Sequence, residues 1–157
     1  MIFDSFEDFA AALPRTGALA GIDLGTKTVG VAVSDGLRSV ATPLETIRRK
    51  KFTQDAEALI GILSARSIAG LVLGLPRNMD GSEGPRAQST RAFARNLSRL
   101  WERPMGFWDE RLSTVAAERA LLEADTSRAR RAEVIDHVAA GYILQGALDR
   151  LAYIGRG

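Results

Sequence analysis

The sequence of 157 residues contains no cysteine and a single histidine, His137. The lack of cysteine excludes a disulfide scaffold, a thiolate zinc site and a cysteine nucleophile, and it is typical of a protein from a reducing compartment such as the cytoplasm. One histidine excludes a multi-histidine metal site and leaves almost no room for a Ser-His-Asp triad. A metal ion bound by this chain would therefore have oxygen ligands.

Long apolar runs are absent as well. No run approaches the 18 residues of a membrane span, so we expect no membrane partner. Residues 1–17 are acidic and lack the basic leader and long apolar stretch of a signal peptide, and they predict a short amphipathic arm. Because 46% of the residues are hydrophobic and 25% are charged, the rest of the chain, residues 18–157, predicts one globular domain.

Lysine is scarce. Three of the 21 basic residues are lysine and the others are arginine, while the net charge is only +2. Arginine suits two-point contacts with phosphate, which is compatible with a nucleic-acid partner. Arginine usage also follows genomic base composition, so this signal does not decide the partner by itself.

The alternation of strand and helix signals predicts an α/β fold. Two β-rich runs on either side of Gly25-Thr26-Lys27-Thr28 predict a hairpin within residues 19–35, and Pro43 places the next strand, residues 39–47, at an edge of the sheet. The remaining predicted elements are a helix at 52–65, a strand at 70–75, a helix at 86–102, a strand at 105–109 and helices at 113–124 and 133–151. The later strands should run parallel to the first.

Three acidic residues occupy positions where a charge is costly. Asp23 lies in an apolar central strand, with Gly21 and Gly25 as its neighbours on the same face. Glu110 directly follows a strand, and Asp136 lies in a helix that is otherwise almost entirely apolar. A buried carboxylate costs on the order of several kcal/mol unless it is paired, protonated or bound to a cation.

A shared divalent cation would explain all three acids together. Carboxylates without histidine or cysteine favour Mg²⁺ or Mn²⁺ over zinc. Sites in open α/β sheets lie at the carboxyl ends of parallel strands, where both Asp23 and Glu110 are expected. The alternative is that each acid forms a structural salt bridge, since the chain is rich in arginine.

Four motifs resemble the YqgF/RuvX family of bacteria, whose members are named as pre-16S rRNA nucleases and are similar to Holliday-junction resolvases. The motifs are GIDLGTKTVGVAVSD, LVLGLPRNMDGSEGP, DERLSTVAA and IDHVAAGYILQGALD, and they span roughly residues 19–149. The resemblance implies a ribonuclease H-like fold, in which helices flank a five-stranded mixed sheet. It also implies that Asp23, Glu110 and Asp136 are the catalytic residues and the ligands of Mg²⁺ or Mn²⁺.

The same resemblance implies phosphodiester hydrolysis by a two-metal-type mechanism, in which paired cations clamp the scissile phosphate and activate water. The expected substrate is structured RNA, namely the 5′ end of precursor 16S rRNA in ribosome biogenesis. This preference for RNA comes from the family alone. We expect a monomer or a weak dimer in the cytoplasm.

Seven polar residues near the acids are candidates for binding the substrate. They are Thr26 and Lys27 in the hairpin, Asn78 in the loop after residues 70–75, Arg111 beside Glu110, and Arg128, Arg130 and Arg131 just before the last helix. Each has a structural alternative: a turn, a surface loop, neutralisation of an acid or a solvated basic joint. Arg91, Arg95 and Arg99 form a further stripe, which is better explained as a solvated helix face than as a track for nucleic acid.

Three other functions stay open. Asp23-Leu24-Gly25-Thr26 also begins actin-like ATPases, but those bind nucleotide between two domains, and this chain has the length of one. A Holliday-junction resolvase acting on branched DNA should be a stable dimer, because it cuts two strands symmetrically. A non-catalytic nucleic-acid-binding regulator would keep the fold without turnover, which the presence of all three acids disfavours.

Overall fold

Six strands form one sheet between two layers of helices. The computed structural model describes residues 1–112 and 128–156, with the backbone alone for residues 128–136 and 156. In chain order the elements are β1 (Ile2–Phe3), α1 (Phe6–Ala12), β2 (Leu19–Leu24), β3 (Thr28–Ser34), β4 (Ala41–Arg48), α2 (Phe52–Ala65), β5 (Gly70–Leu75), α3 (Pro85–Ser98), β6 (Met105–Asp109), a 3₁₀ turn (Glu110–Leu112) and α4 (Arg128–Arg156). The order across the sheet is β1-β6-β5-β2-β3-β4.

The sheet is mixed, which confirms the predicted fold class. β2, β3 and β4 form an antiparallel meander, whereas β5 and β6 run parallel to β2. β4 lies at the edge of the sheet, as Pro43 predicts. Proline has no backbone N–H to donate to a neighbouring strand, and an edge strand has an open side where none is needed. The sheet has one strand more than the family resemblance implies, because Ile2 and Phe3 of the amino-terminal arm pair with Met105 and Gly106 of β6.

Helices cover both faces of the sheet. On the α2/α3 face, side chains such as Leu59 of α2 and Phe93 of α3 pack against β2, β3 and β5. On the α4 face, Phe9 of α1 and Leu144 of α4 pack with Trp108 of β6. Because β2 and β5 lie in the middle and are covered on both sides, all six residues of each strand are buried, which explains their apolar sequences.

The helix α4 lies directly on β2 because Gly21 has no side chain. A Cβ atom at Gly21 would be 2.8 Å from the Cβ of Leu144 and 3.3 Å from the carbonyl oxygen of Ala140. Both distances are too short for a methyl group in ordinary van der Waals contact. This glycine therefore fixes how closely the last helix approaches the central strand.

Most element boundaries agree with the sequence prediction, but those of two helices differ. α3 ends at Ser98, earlier than predicted. α4 is longer than predicted at both ends, because it includes residues 128–132, which the sequence places before the helix, and continues past residue 151 to Arg156. All five residues at 128–132 are arginine or alanine, which are strong helix formers. The helix predicted at residues 113–124 lies outside the described residues. No helix in residues 1–112 or 128–156 combines the length and the apolar character needed to cross a bilayer.

Candidate active site at the carboxyl ends of the central strands

Asp23 is a buried acid near the carboxyl end of β2. Its exposed fraction is 1%, and it pairs with Gly30 of the neighbouring strand β3. Since side chains alternate along a strand, Asp23 lies on the same face as Gly21, and Gly21 contacts α4. The carboxylate therefore lies on the α4 face, in the middle of the sheet.

Glu110 brings a second carboxylate to the same face. It is the first residue of the 3₁₀ turn after β6, and its Oε1 atom is buried. A Cβ atom at Gly74 of β5 would lie 2.8 Å from this Oε1 atom and would overlap Cδ1 of Ile143 in α4. The Glu110 carboxylate thus lies over the backbone of β5, the strand between β6 and β2, on the α4 face.

The register of the strands relates these two acids. Ile22 of β2 pairs with Leu73 of β5, so Asp23 and Gly74 each follow this pair by one residue. Neighbouring strands in a sheet are about 4.8 Å apart. The carboxylate above Gly74 therefore stands beside the strand that carries Asp23, and both acids lie where parallel strands end.

The third predicted acid is residue 136, and the backbone of α4 carries this residue to the same end of the sheet. Residue 136 lies in α4, one turn before Ala140. The carbonyl oxygen of Ala140 lies 3.3 Å from the position that a Cβ atom of Gly21 would occupy. The next residue, His137, forms a 2.9 Å hydrogen bond between its Nδ1 and Oγ1 of Thr46. Thr46 pairs with Gly30, which pairs with Asp23. The side chain of Asp136 lies outside the described part of the chain, so its place in the site stays a prediction.

The donor atoms of this site fit a hard divalent cation. Carboxylate oxygens are the ligands that Mg²⁺ and Mn²⁺ prefer, and Asp23 and Glu110 supply them from two rigid elements. Gly74 leaves the space that the Glu110 carboxylate occupies. Among the described side chains, no cluster of three or more residues of the types histidine, aspartate and glutamate could hold a metal ion. The side chain of Asp136, the predicted third ligand, lies outside the described part.

Arg111 is occupied by the neighbouring acid, Asp109. Its Nη2 atom lies 2.7 Å from Oδ2 of Asp109, and its Nε atom donates to both carboxylate oxygens at 3.1 Å. These hydrogen bonds hold the pKa of Asp109 below its usual value, against the effect of burial. Of the two roles that the sequence leaves open for Arg111, the described contacts show neutralisation of an acid.

The loop that contains Asn78 is held together by its own side chains. Asn78 Nδ2 donates to Oγ of Ser82 at 2.9 Å, and Arg111 Nη1 donates to the carbonyl oxygens of Asn78 and Met79 at 3.4 Å. Asn78 is exposed in this loop, which lies after the carboxyl end of β5. Its role in binding substrate therefore stays a prediction.

The other predicted binding residues divide into two groups. Thr26 and Lys27 are exposed at the tip of the β2–β3 hairpin, three and four residues beyond Asp23. Arg128, Arg130 and Arg131 lie in the first turn of α4 as the structure describes it, and their side chains are outside the described part. Only the hairpin residues can thus be placed relative to Asp23.

Two features near the site are absent from the sequence interpretation. Gly74 appears only as one letter of a buried strand, and its contact with Glu110 depends on a side chain 36 positions away. Arg86 donates from Nη2 to the carbonyl oxygen of Leu24 at 3.4 Å, across 62 positions. No local spacing signals either contact.

The fold resembles that of junction-resolving nucleases. RuvC of Thermus thermophilus in complex with a Holliday junction substrate superimposes with a TM-score of 0.54 and 12% identity, over 87% of this chain and 96% of that one. The yeast mitochondrial Holliday junction resolvase Ydc2 gives a TM-score of 0.53 and 11% identity, over 96% and 86%. At such low identity the likeness shows the fold alone, which is the ribonuclease H-like fold of RuvC.

Sequence comparison gives the family within this fold. The family model described as "RuvX: Holliday junction resolvase" matches residues 17–150. A protein of Cereibacter sphaeroides (strain ATCC 17029 / ATH 2.4.9), named "Putative pre-16S rRNA nuclease", is 78% identical over 99% of this chain and 98% of its own length. A protein of Paracoccus denitrificans (strain Pd 1222) with the same name is 77% identical over 99% of both chains. The chain belongs to the RuvX family, which confirms the resemblance carried by the four motifs.

Proposed function

We propose that this chain is a metal-dependent nuclease that hydrolyses phosphodiester bonds and processes the 5′ end of precursor 16S rRNA in ribosome biogenesis. The observation that carries the proposal is the placement of Asp23 and Glu110, whose carboxylates lie on one face of the sheet at the ends of parallel strands. Relatives 77–78% identical over nearly the whole chain are named for this activity, which supports the choice of substrate.

Asp23, Glu110 and Asp136 would hold Mg²⁺ or Mn²⁺. A divalent cation, when bound, supplies charge neutralisation at the phosphate and a more acidic water. Asp23 offers its carboxylate from the central strand, so its position is fixed by strand pairing on both sides. Glu110 is held over Gly74, and Asp136 is carried by the helix that packs on β2. Because Asp23 is buried, bulk water has little access to its carboxylate.

The substrate would be bound by cations and polar groups around these acids. Thr26 and Lys27 extend from the strand of Asp23 and can contact a phosphate next to the scissile bond. Asn78 and Arg111 would border the substrate on the β5 and β6 side. Arg128, Arg130 and Arg131 would contact it from the first turn of α4.

A Holliday-junction resolvase is the second candidate function. The matching family model carries that description, and the similar solved structures are resolvases. A resolvase acts on branched DNA and cuts two strands, so it would act as a stable dimer. The oligomeric state and the products from a four-way junction separate this candidate from the first.

The decisive experiment compares wild type with Asp23→Asn on labelled precursor rRNA. Wild type should cleave in Mg²⁺ or Mn²⁺ and stop in EDTA. Loss of a metal ligand removes several kcal/mol of transition-state stabilisation, so Asp23→Asn should cleave at least about 100-fold more slowly. Asp8→Asn, the same change at an exposed residue of α1, is the matched control and should cleave like wild type.

Three results would contradict the proposal in different ways. Cleavage by purified Asp23→Asn at the wild-type rate would exclude this site. Symmetric cutting of a four-way DNA junction without cleavage of the RNA would favour the resolvase. Tight binding of RNA without cleavage in either metal would favour a non-catalytic regulator. Circular dichroism of each variant checks that the fold is retained.

A further inference from the structure

Two adjoining clefts lie at the tip of the β2–β3 hairpin, and the smaller one reaches the start of α3 on the α2/α3 face of the sheet. The smaller, of about 170 Å³, lies between the hairpin and the start of α3, and the larger, of about 390 Å³, lies between the hairpin and the end of β4. Thr26 and Arg49 line both. We call the two clefts together the basic trough, and its cationic side chains are Lys27, Arg48, Arg49, Lys50 and Arg86.

The trough combines high positive charge with a lining free of acids. Four of the five residues that line the larger cleft are cationic, and Arg86 adds a charge to the smaller one. The described residues that line the two clefts include no aspartate or glutamate. Lys27, Lys50 and Arg86 are exposed, so their charges face solvent rather than the core. Such a lining favours a ligand that carries several negative charges.

The backbone around the trough is fixed in place. Arg49 holds the hairpin, because its Nη1 donates to the carbonyl oxygen of Gly25 at 2.6 Å and its backbone N–H donates to the carbonyl oxygen of Lys27 at 2.8 Å. Buried Asp55 accepts from the backbone N–H of Lys50 at 2.8 Å and lies 3.8 Å from Nε of Arg49. Asp55 therefore offsets the charge of Arg49, so a ligand would meet mainly the charges of the exposed cations.

The position of the trough relates it to the acids across the sheet. Leu24 and Gly25 line the smaller cleft and directly follow Asp23. Two residues of a strand span roughly 6.8 Å, so Gly25 lies about this far beyond Asp23, at the carboxyl end of β2. A polynucleotide that leaves Asp23 on the α4 face would therefore meet Gly25 where the strand ends. Leu24 faces the α2/α3 side, opposite to Asp23. A long ligand could thus cross the sheet edge from the acids into the trough.

We infer that the basic trough binds the sugar-phosphate backbone of a polynucleotide on the far side of the β2–β3 hairpin from the bond that is cut. The inference rests on the proposed function only for the choice of substrate. A backbone carries one negative charge per nucleotide, which matches a row of cations, and arginine can contact two phosphate oxygens at once. The bound polynucleotide then runs from the α4 face, over Thr26, to the α2/α3 face.

The test measures binding of a fluorescent single-stranded RNA by the full chain with Asp23→Asn, in EDTA, at several salt concentrations. Adding Lys50→Gln and Arg86→Gln removes two phosphate contacts. The dissociation constant should rise about tenfold, and the magnitude of the slope of log K against log salt should fall by about 1.4, since each phosphate contact on a single strand contributes about 0.7. A DNA of equal length should show the same change, because a backbone site does not depend on the base.

The matched control is Arg66→Gln with Arg103→Gln. These two exposed residues, one after α2 and one before β6, lie away from the hairpin, and their replacement changes the net charge equally. The control should keep most of the affinity and the slope. Arg86→Lys keeps the charge and should retain the slope, which separates a lost contact from a disturbed fold. Equal slopes for the trough and control variants would overturn the inference.

Two further measurements distinguish a backbone site from a catalytic role and from a nucleotide site. In the active chain, which keeps Asp23, Lys50→Gln with Arg86→Gln should raise KM about tenfold and leave kcat within twofold. If wild type binds RNA through the trough but does not cut it, the proposed function fails and the inference stands. ATP should compete only weakly, at millimolar concentration. Tight binding of ATP that these substitutions abolish would overturn the inference in favour of a nucleotide site.

Discussion

Glu110 Oε1 lies 2.8 Å from the position that a Cβ atom of Gly74 would occupy. The carboxylate therefore uses the space that a side chain on the middle strand would fill, and the flexible end of Ile143 lies at least as close to the same position. A side chain at position 74 would overlap both groups, so glycine is the residue that lets the Glu110 carboxylate and Ile143 pack here together.

Gly74→Ala tests this relationship. The new methyl group must displace the ends of two flexible side chains, Glu110 and Ile143, which can move without a shift of the backbone. We expect the protein to fold with a stability loss of about 1–3 kcal/mol and cleavage of RNA to fall by at least about tenfold. Thermal unfolding and initial rates on the same preparation check the two effects. Wild-type rates would show that the position of the Glu110 carboxylate does not matter.

Gly21→Ala should act mainly on stability. Its methyl group would lie 2.8 Å from the Cβ of Leu144, which is fixed to the helix and cannot rotate away. α4 must then move off β2, at a cost of about 1–3 kcal/mol, and it carries Asp136 with it, so cleavage should fall too. Urea unfolding measures the first effect and rate assays measure the second.

Gly61→Ala is the control for both glycine variants. Gly61 lies in α2, and apart from the backbone of that helix no heavy atom of the described residues lies within 4 Å of a Cβ at this position. Alanine is the better helix former by up to about 1 kcal/mol, so this variant should be more stable than wild type and equally active. A loss of stability would mean that the packing around α2 differs from that described.

Glu110→Gln separates the roles of two consecutive acids, Asp109 at the end of β6 and Glu110 directly after it. The substitution keeps the size of the side chain and removes the charge that would hold the cation, so cleavage should fall at least about 100-fold. Asp109→Asn is the matched control, because Asp109 is engaged by Arg111 and alternates with Trp108 in β6 to the side of Phe107, which faces α2 and α3. It should lose stability but keep most of the activity. Equal losses of activity would place both acids in the chemistry.

The ion pair between Arg91 and Glu83 should make stability depend on pH. Arg91 donates to both carboxylate oxygens of Glu83, at 2.6 and 2.7 Å, and these hydrogen bonds lower the pKa of Glu83 from its ordinary value of 4.5. A lowered pKa in the folded state gives stability that is full above the unfolded pKa and is lost as pH falls through the folded pKa. The difference in melting temperature between wild type and Glu83→Gln should be largest near pH 7 and should shrink below pH 4.5.

Arg91→Gln provides the matched test of this assignment. It removes the partner of Glu83 from the other side and should flatten the pH dependence in the same way. Arg91 also contacts Asp4 at 2.7 Å and stacks on Phe107, so its replacement should cost more stability at pH 7 than that of Glu83. An unchanged pH profile in both variants would exclude this pair as the source.

The sequence predicts those parts of the fold that depend on local patterns. The apolar runs of β2 and β5 predict buried central strands, and Pro43 predicts an edge strand. The pair Ile2 and Phe3 is too short to carry a strand signal, since it becomes a strand only by pairing with β6, more than 100 positions away. The residues at 128–132 form a helix in spite of their charge, because arginine has a high helix propensity.

The candidate site is less fully accessible from the sequence. The cost of burying an acid identifies Asp23 and points to Glu110, and both lie at the carboxyl ends of parallel strands, where the sequence predicts them. Spacing along the chain does not reveal what each cation contacts. The stripe of Arg91, Arg95 and Arg99 illustrates this, because Arg91 is drawn into contacts with Glu83 and Asp4 while Arg95 and Arg99 stay exposed.

The pairing of β2 on both sides has a consequence for how activity is acquired during folding. Neighbouring residues of a strand point to opposite faces, so a slip of β2 by one position would exchange Asp23 for Leu24 on the α4 face. A molecule misaligned in this way would keep a hydrophobic interior yet have no acid in its floor. Fidelity of strand alignment, rather than compaction, would then decide which newly made molecules become competent.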